Sequence, residues 1–173
     1  MRFADWFTKG EILRQADLLS SHTEVWGRAT VTDTGFTLVG KADRVDVLHD
    51  GTARIYDYKT GPLPSSAQQL HFDKQLLLEA EILQQGGFEG LNVLQVAEAT
   101  YIGVGNELKL AKAPLGEDEV WVKFSKLIKS YQNPDQGYTA RRAMLMVDVP
   151  SDYDQLARYG EWGTNEQPLL IKT

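Results

Sequence analysis

The sequence has 173 residues, of which 42% are hydrophobic and 24% are charged, a balance that suits one folded domain and argues against disorder. The absence of cysteine excludes disulfides, thiolate zinc sites and an iron–sulfur cluster in this chain, and no apolar run is long enough to span a bilayer, so we expect a cytoplasmic protein with no membrane partner. The net charge of −6 argues against a protein that coats DNA by electrostatics alone, but it suits an enzyme whose carboxylates hold a cation at a phosphate.

The predicted elements begin with a helix over 3–19, where apolar residues recur at helical spacing. Alternating apolar and polar residues then predict three strands, over 24–32, 36–48 and 53–60. Asp50 and Gly51 provide the turn between the second and the third strand. Because tight turns join antiparallel neighbours, these three strands are predicted to form a meander.

A capping box at Ser65–Gln68 predicts the start of the next helix, which should run to about Gln85 and end at Gly86-Gly87. The remaining pattern predicts a central strand over 94–104, a helix over 117–131 and a last short helix over 152–159. This order predicts a mixed α/β fold, in which a mixed sheet containing the antiparallel meander is flanked by helices.

The second and third strands bring charged residues together. Alternation on the third strand places Asp57 and Lys59 on its apolar face, and a turn centred on Asp50 places Asp43 across from Asp57. Facing Cβ atoms in such a pair are roughly 4.5–5.5 Å apart. Two carboxylates so near each other on a core-facing surface repel one another and need a compensating cation. Mg²⁺ binds such oxygen ligands together with water and phosphate. The hairpin therefore predicts a metal-dependent phosphodiester hydrolase, with Lys59 orienting the water or stabilising charge on the phosphate.

Spacing alone also allows a simpler interpretation of these charges. Asp43, Arg44, Asp46 and Lys59 could form a ladder of surface salt bridges on an exposed hairpin, which is common and contributes little stability. The flanking residues are needed to choose between the two.

The flanking residues resemble a known signature. Gly40-Lys41-Ala42-Asp43-Arg44-Val45-Asp46, followed by Ile55-Tyr56-Asp57-Tyr58-Lys59-Thr60-Gly61, is similar to the G-x-x-D-R-h-D and h-h-D-Y-K-T-G motifs of RecB-type nucleases of the PD-(D/E)XK superfamily, where h is apolar. The resemblance implies a restriction-endonuclease-like fold, metal binding by Asp43 and Asp57, a catalytic role for Lys59, and Mg²⁺ or Mn²⁺ as the cofactor. Gln75 matches the glutamine of the family's Q-h-x-x-Y pattern, which contacts substrate or supports the site, whereas Glu79 replaces the tyrosine.

Within the superfamily, the chain is most similar to the C-terminal nuclease domain of AddB, over about Trp6 to Trp162. The residues that carry this likeness are Gln75–Ala80, Gly86-Gly87-Phe88, Tyr153–Arg158 and Glu161-Trp162. The resemblance implies DNA as substrate, an AddA-like helicase–nuclease as partner, and a role, as an exonuclease, in double-strand break repair by recombination. We accordingly expect residues 1–173 to form a single RecB-like nuclease domain that is the C-terminal part of a longer protein.

RecB-type nucleases also carry a further metal ligand, His or Glu, on a helix upstream of G-x-x-D-R. Glu24, and after it His22, are the nearby candidates, and a ligand on a preceding segment is the alternative. Two other functions stay open. The chain could be an inactive nuclease-like domain that docks a helicase or guides DNA, or a Cas4-like nuclease of CRISPR adaptation, which the missing cysteines disfavour.

Overall fold

The structure, a computed structural model, describes residues 3–93, 95–105, 107–116, 119–136 and 161. The chain divides into two compact units, Met1–Ser125 and Lys126–Thr173, and the sheet lies within the first. The helix predicted over 152–159 lies outside the described residues. No helix in the described part of the chain is long and apolar enough to cross a membrane. A single domain over 1–173 stays a prediction.

The helices and strands follow the predicted order, with one additional strand. In chain order they are α1 (Phe3–Arg14), a 3-10 turn (Gln15–Asp17), β1 (Leu18–Thr30), β2 (Thr37–Leu48), β3 (Thr52–Lys59), α2 (Ser66–His71), α3 (Gln75–Gln84), β4 (Gln95–Gly103), β5 (Lys109–Lys112) and α4 (Val120–Tyr131).

The five strands form one sheet in the order β1-β2-β3-β4-β5. β3 and β4 pair in parallel, and the other neighbours pair antiparallel, so the predicted mixed sheet with its meander is confirmed. β4 is an interior strand, as predicted, because β5 covers its second edge. β5 itself was not predicted, since its four residues are mostly exposed and show no apolar alternation.

The Asp-Gly turn sets the register of the central hairpin. Gly51 has a φ of 83°, and the Asp50 carboxylate accepts a hydrogen bond of 2.9 Å from the backbone N–H of Thr52. Val45 pairs with Ile55, so the hairpin is centred on Asp50 as predicted. The alternation is confirmed too. One face of the sheet packs into the main core with α3, through side chains that include Val45, Val47, Ala53, Ile55, Leu76, Leu77, Ala80 and Leu83.

The boundary between the first helix and the first strand was predicted wrongly. The helix was expected over 3–19 and the strand from Glu24, but α1 ends at Arg14 and β1 begins at Leu18. Leu18–Thr23 pair with β2, and this pairing outweighs the local helical pattern. Leu19, which the pattern assigned to an apolar helix face, is 59% exposed.

The single helix predicted up to Gln85 is two helices. The capping box at its start is confirmed, since Ser65 and Gln68 each hydrogen-bond the other's backbone N–H. The helix breaks before Gln75, where the Asp73 carboxylate accepts a hydrogen bond of 2.6 Å from the Tyr101 hydroxyl of β4. The predicted glycine stop of α3 is confirmed, since Gly86 has a φ of 70° and its N–H and that of Gly87 donate to α3 carbonyls.

Candidate active site

Asp43 lies where β2 and β3 separate. The β2–β3 ladder ends at Arg44 and Tyr56. Beyond it, the backbone N–H of Tyr58, two residues after Tyr56, donates a hydrogen bond of 2.9 Å to Oδ2 of Asp43. Alternation on β2 also breaks here, because Ala42 and Val45 both enter the main core although they are three residues apart. A side-chain carboxylate thus takes the place of a strand partner, and this hydrogen bond fixes Asp43 beside β3.

Asp57 is a buried carboxylate with an incompletely satisfied oxygen. Its side chain is on the core side of β3 and the residue is only 3% exposed. Lys59 Nζ donates to Oδ1 at 3.1 Å and lies 3.0 Å from Oδ2, but Oδ2 accepts no hydrogen bond from any residue that the structure describes. Burial raises the pKa of Asp57 above its ordinary value, the hydrogen bond from Lys59 opposes this, and the negative charge of Asp43 adds to it. The arrangement leaves an anionic oxygen that a cation would satisfy.

Gln75, the first residue of α3, joins the same group. The Lys59 ammonium donates to Oε1 of Gln75 at 3.0 Å, so it lies between the Asp57 carboxylate and the Gln75 amide. Lys59 Nζ also lies 5.6 Å from the ring centroid of Tyr101, the β4 residue that pairs with Asp57. The structure therefore brings together four predicted site residues, Asp43, Asp57, Lys59 and Gln75. Their catalytic and metal-binding roles remain predictions.

Glu79 is a site residue whose role the sequence left open. Gln75 Nε2 donates to Oε1 of Glu79 at 3.1 Å, while Oε2 is buried and has no hydrogen-bond partner among the described residues. Burial raises the pKa of Glu79 to about 7; the Gln75 hydrogen bond lowers it, and the charges of Asp57 and Asp43 raise it further. A usable signal was present in the sequence, because residues four apart share a helix face and Glu79 interrupts an apolar run.

The other two charges of the D-R-h-D motif lie on the opposite face. The guanidinium of Arg44 donates to both carboxylate oxygens of Asp46, at 2.7 Å each, and to Glu11 of α1 at 2.8 Å. Arg44 is 7% exposed and Asp46 is fully buried. Burial lowers the pKa of Arg44, but its hydrogen bonds to Asp46 and Glu11 outweigh that effect and raise it. The surface-ladder interpretation is therefore wrong for this pair, which attaches α1 to the sheet.

The candidates for a further metal ligand face other partners. Glu24 is a largely exposed residue of β1 with a φ of 57°, and its carboxylate pairs with Lys41 of β2. His22 is half-buried, and its Nε2 is 2.9 Å from the hydroxyl of Ser20. Glu24 and His22 as metal ligands stay predictions, without support from these contacts.

The donor set around Asp57 suits a small divalent cation. Asp43 and Asp57 supply hard oxygen ligands, and in the described part of the chain Oδ2 of Asp57 has no hydrogen-bond donor. Across the described residues, no group of three or more His, Cys, Asp or Glu side chains is arranged to hold a metal ion. Two carboxylates still meet the usual protein contribution to a Mg²⁺ site, where water and substrate phosphate complete the coordination.

The profile of the PD-(D/E)XK nuclease superfamily matches residues 2–165. The chain belongs to the PD-(D/E)XK nuclease superfamily. Its five-stranded mixed sheet with flanking helices accordingly confirms the restriction-endonuclease-like fold. Members of this superfamily are generally nucleases, so the match suggests nuclease activity in general.

Two relatives of this chain come from Rickettsia species. An uncharacterized protein of Rickettsia typhi is 26% identical over 110 residues, which are 61% of this chain and 13% of that protein. One of Rickettsia conorii is 28% identical over 97 residues, 54% of this chain and 12% of that protein. The chain thus spans only about an eighth of their length. The crystal structure of SSO0001 matches with a TM-score of 0.46 and 14% identity, covering 79% of this chain and 61% of that one, a likeness too slight to bear on function.

Proposed function

We propose that this chain is a metal-dependent DNA nuclease that hydrolyses phosphodiester bonds at Asp43, Asp57 and Lys59. The observation that carries the proposal is the buried Asp57 carboxylate, whose Oδ2 accepts no hydrogen bond from the described residues, although the Lys59 ammonium lies near both of its oxygens. The charge of a second acid, Asp43, raises the pKa of this buried carboxylate, so a divalent cation held by the two acids would stabilise their charges. Membership in a nuclease superfamily supports the same reaction.

Asp43 and Asp57 would hold Mg²⁺ or Mn²⁺, which when bound polarises a phosphoryl oxygen and lowers the pKa of a coordinated water. The Asp43 carboxylate is already oriented by the Tyr58 N–H, and that of Asp57 by Lys59. Among the described residues, the Lys59 ammonium donates two hydrogen bonds, to Asp57 and Gln75. Its third N–H can therefore donate to the phosphate and stabilise the charge that develops there.

The more specific role is also part of the proposal. The D-R-h-D and D-Y-K-T-G motifs and Gln75 support a RecB-type, AddB-like exonuclease that acts with an AddA-like partner in double-strand break repair. The small share of the relatives' length that this chain spans agrees with one domain of a longer protein. A cytoplasmic location stays a prediction.

A cleavage assay on linear DNA tests the proposal. The wild type should degrade end-labelled linear DNA with Mg²⁺ or Mn²⁺ and not with EDTA, and an exonuclease should spare closed circular DNA. Lys59→Ala should lower the rate by roughly 10²-fold, the effect of losing one acid–base or electrostatic group. Lys9→Ala, at an exposed lysine of α1, is the matched control and should cut as the wild type does. Equal rates for both variants would contradict the role of Lys59.

One observation favours a second candidate, an inactive nuclease-like domain that guides DNA or docks a helicase. In the described part of the chain, the acids near Asp57 do not form a three-ligand metal group. Such a domain would bind linear DNA without cutting it under either metal. If a longer chain that includes the preceding segment regains cutting, an upstream ligand is needed and the nuclease proposal stands. Inactivity of that longer chain with both metals would overturn it.

A further inference from the structure

A chain of hydrogen bonds leads from the proposed catalytic group to a buried carboxylate. The Lys59 ammonium donates one hydrogen bond to Asp57 and another to Oε1 of Gln75. Nε2 of Gln75 in turn donates a hydrogen bond to Oε1 of Glu79. We propose that Glu79 is a positioning residue, which fixes the orientation of the Gln75 side-chain amide and through it the place of the Lys59 ammonium. This inference rests on the proposed function, because it assigns Glu79 a role in the same site.

The two ends of an amide differ in what they attract. The oxygen of Gln75 accepts from an ammonium, whereas its NH₂ group can only donate and would repel Lys59. The Glu79 carboxylate accepts and does not donate when ionised, so it draws the NH₂ end toward α3 and leaves the oxygen toward Lys59. A rotated amide would lose both hydrogen bonds, each of which involves a charged partner and is therefore stronger than a neutral one.

Burial makes Glu79 a suitable anchor. Glu79 is 4% exposed, in an α3 face whose neighbours Leu76 and Ala80 are buried in the main core. Its Cγ lies close to Gly40 of β2, since a Cβ built on Gly40 would be 3.7 Å from it. Gln75, by contrast, is exposed and by itself free to change rotamer. Packing therefore restricts the Glu79 carboxylate, and the hydrogen bond to this carboxylate restricts the Gln75 amide.

Two substitutions separate this role from packing and from metal binding. Glu79→Leu places an apolar residue at this buried helix position and removes the acceptor, whereas Glu79→Gln keeps a carbonyl oxygen at the same distance along the side chain. We expect Glu79→Leu to lower kcat for DNA cleavage by about tenfold or more with little change in KM, the effect of a misplaced reacting group. Glu79→Gln should restore most of kcat.

Metal binding and NMR provide readouts that do not depend on cleavage. The Mn²⁺-induced rise in Tm should be the same in wild type, Glu79→Leu and Glu79→Gln, because Asp43 and Asp57 are unchanged. In the metal-free protein, the Gln75 side-chain NH₂ signals, assigned by their loss in Gln75→Leu, should show one hydrogen-bonded proton shifted downfield. That shift should persist in Glu79→Gln and vanish in Glu79→Leu.

The outcomes are distinct. Wild-type kcat in Glu79→Leu, failure of Glu79→Gln to restore kcat, or an unchanged NH₂ signal in Glu79→Leu would overturn the positioning role. Loss of the Mn²⁺-induced rise in Tm in Glu79→Leu would also overturn the positioning role, because it would indicate that Glu79 is a metal ligand. If Glu79→Leu does not fold, Gln75→Leu breaks the same chain, and unchanged kcat there overturns the proposal. If neither the wild type nor the longer chain cuts DNA with Mg²⁺ or Mn²⁺, the proposed function fails, and the NH₂ signal still tests the positioning.

Discussion

Asp43 and Asp46 belong to one sequence motif, but the structure predicts a large loss of stability for Asp46→Ala and a much smaller one for Asp43→Ala. Asp46 is fully buried, accepts hydrogen bonds from two of the three guanidinium nitrogens of Arg44, and accepts a further hydrogen bond of 2.6 Å from Ser21. Asp46→Ala would leave a guanidinium that is 7% exposed without its main partner. Removing one member of a buried ion pair costs about 3–5 kcal/mol of the free energy of unfolding.

Asp43→Ala should cost much less. Asp43 is half-buried and accepts one hydrogen bond, from Tyr58 N–H, which contributes about 1 kcal/mol. Its removal also relieves repulsion with Asp57, whose pKa the Asp43 charge raises. Urea denaturation of the metal-free variants, followed by circular dichroism and compared at equal m-values, measures both effects. A cost below about 1 kcal/mol for Asp46→Ala, the scale of an exposed ion pair, would refute the buried-pair reasoning.

Two further predictions concern the helix that carries Gln75. In the metal-free protein, burial raises the pKa of Glu79 from its ordinary 4.5 to about 7. Between pH 4.5 and 7, the folded state therefore keeps a proton on Glu79 that the unfolded state has released. The free energy of unfolding should therefore fall as pH rises from about 4.5 to 7, by up to about 3 kcal/mol, and Glu79→Gln should flatten this slope in urea titrations with EDTA; an equal slope in both would contradict it. Gly87→Ala should lower Tm strongly, because the new Cβ would overlap the Arg28 carbonyl oxygen and the Ile82 side chain, whereas Gly105→Ala enters open space and should leave Tm nearly unchanged. Similar Tm values for the two glycine variants would show that the close approach is absent.

The sequence predicted the hairpin that carries the site because local rules determine it. An Asp-Gly turn fixes the register, and period-two alternation places Asp57 and Lys59 on one face of β3. Asp43 was predicted across from Asp57, but the β2–β3 ladder ends at Arg44 and Tyr56, and Asp43 accepts a hydrogen bond from the Tyr58 N–H. Gln75 was located by its resemblance to a family pattern rather than by geometry. The structure brings its amide to Lys59.

The remaining features depend on contacts between segments distant in sequence. The start of β1 follows from pairing with β2, and the break before α3 goes with the Asp73–Tyr101 hydrogen bond, neither of which a local pattern contains. Arg44 and Asp46 looked like surface charges because sequence does not show that α1 brings Glu11 over them. The role proposed for Glu79 could not be predicted, because it depends on the burial of its carboxylate, which the sequence does not show.

Binding of Mn²⁺ tests the central claim most directly, because the proposed nuclease site requires Asp43 and Asp57 to hold a divalent cation. Electron paramagnetic resonance titration should show saturable Mn²⁺ binding to the wild type and to Lys59→Ala. Binding should be lost in Asp57→Asn and weakened in Asp43→Asn, since each substitution removes an anionic ligand. Asp33→Asn, at an exposed aspartate, is the matched control and should bind as the wild type does. Undiminished Mn²⁺ binding by Asp57→Asn would contradict the account.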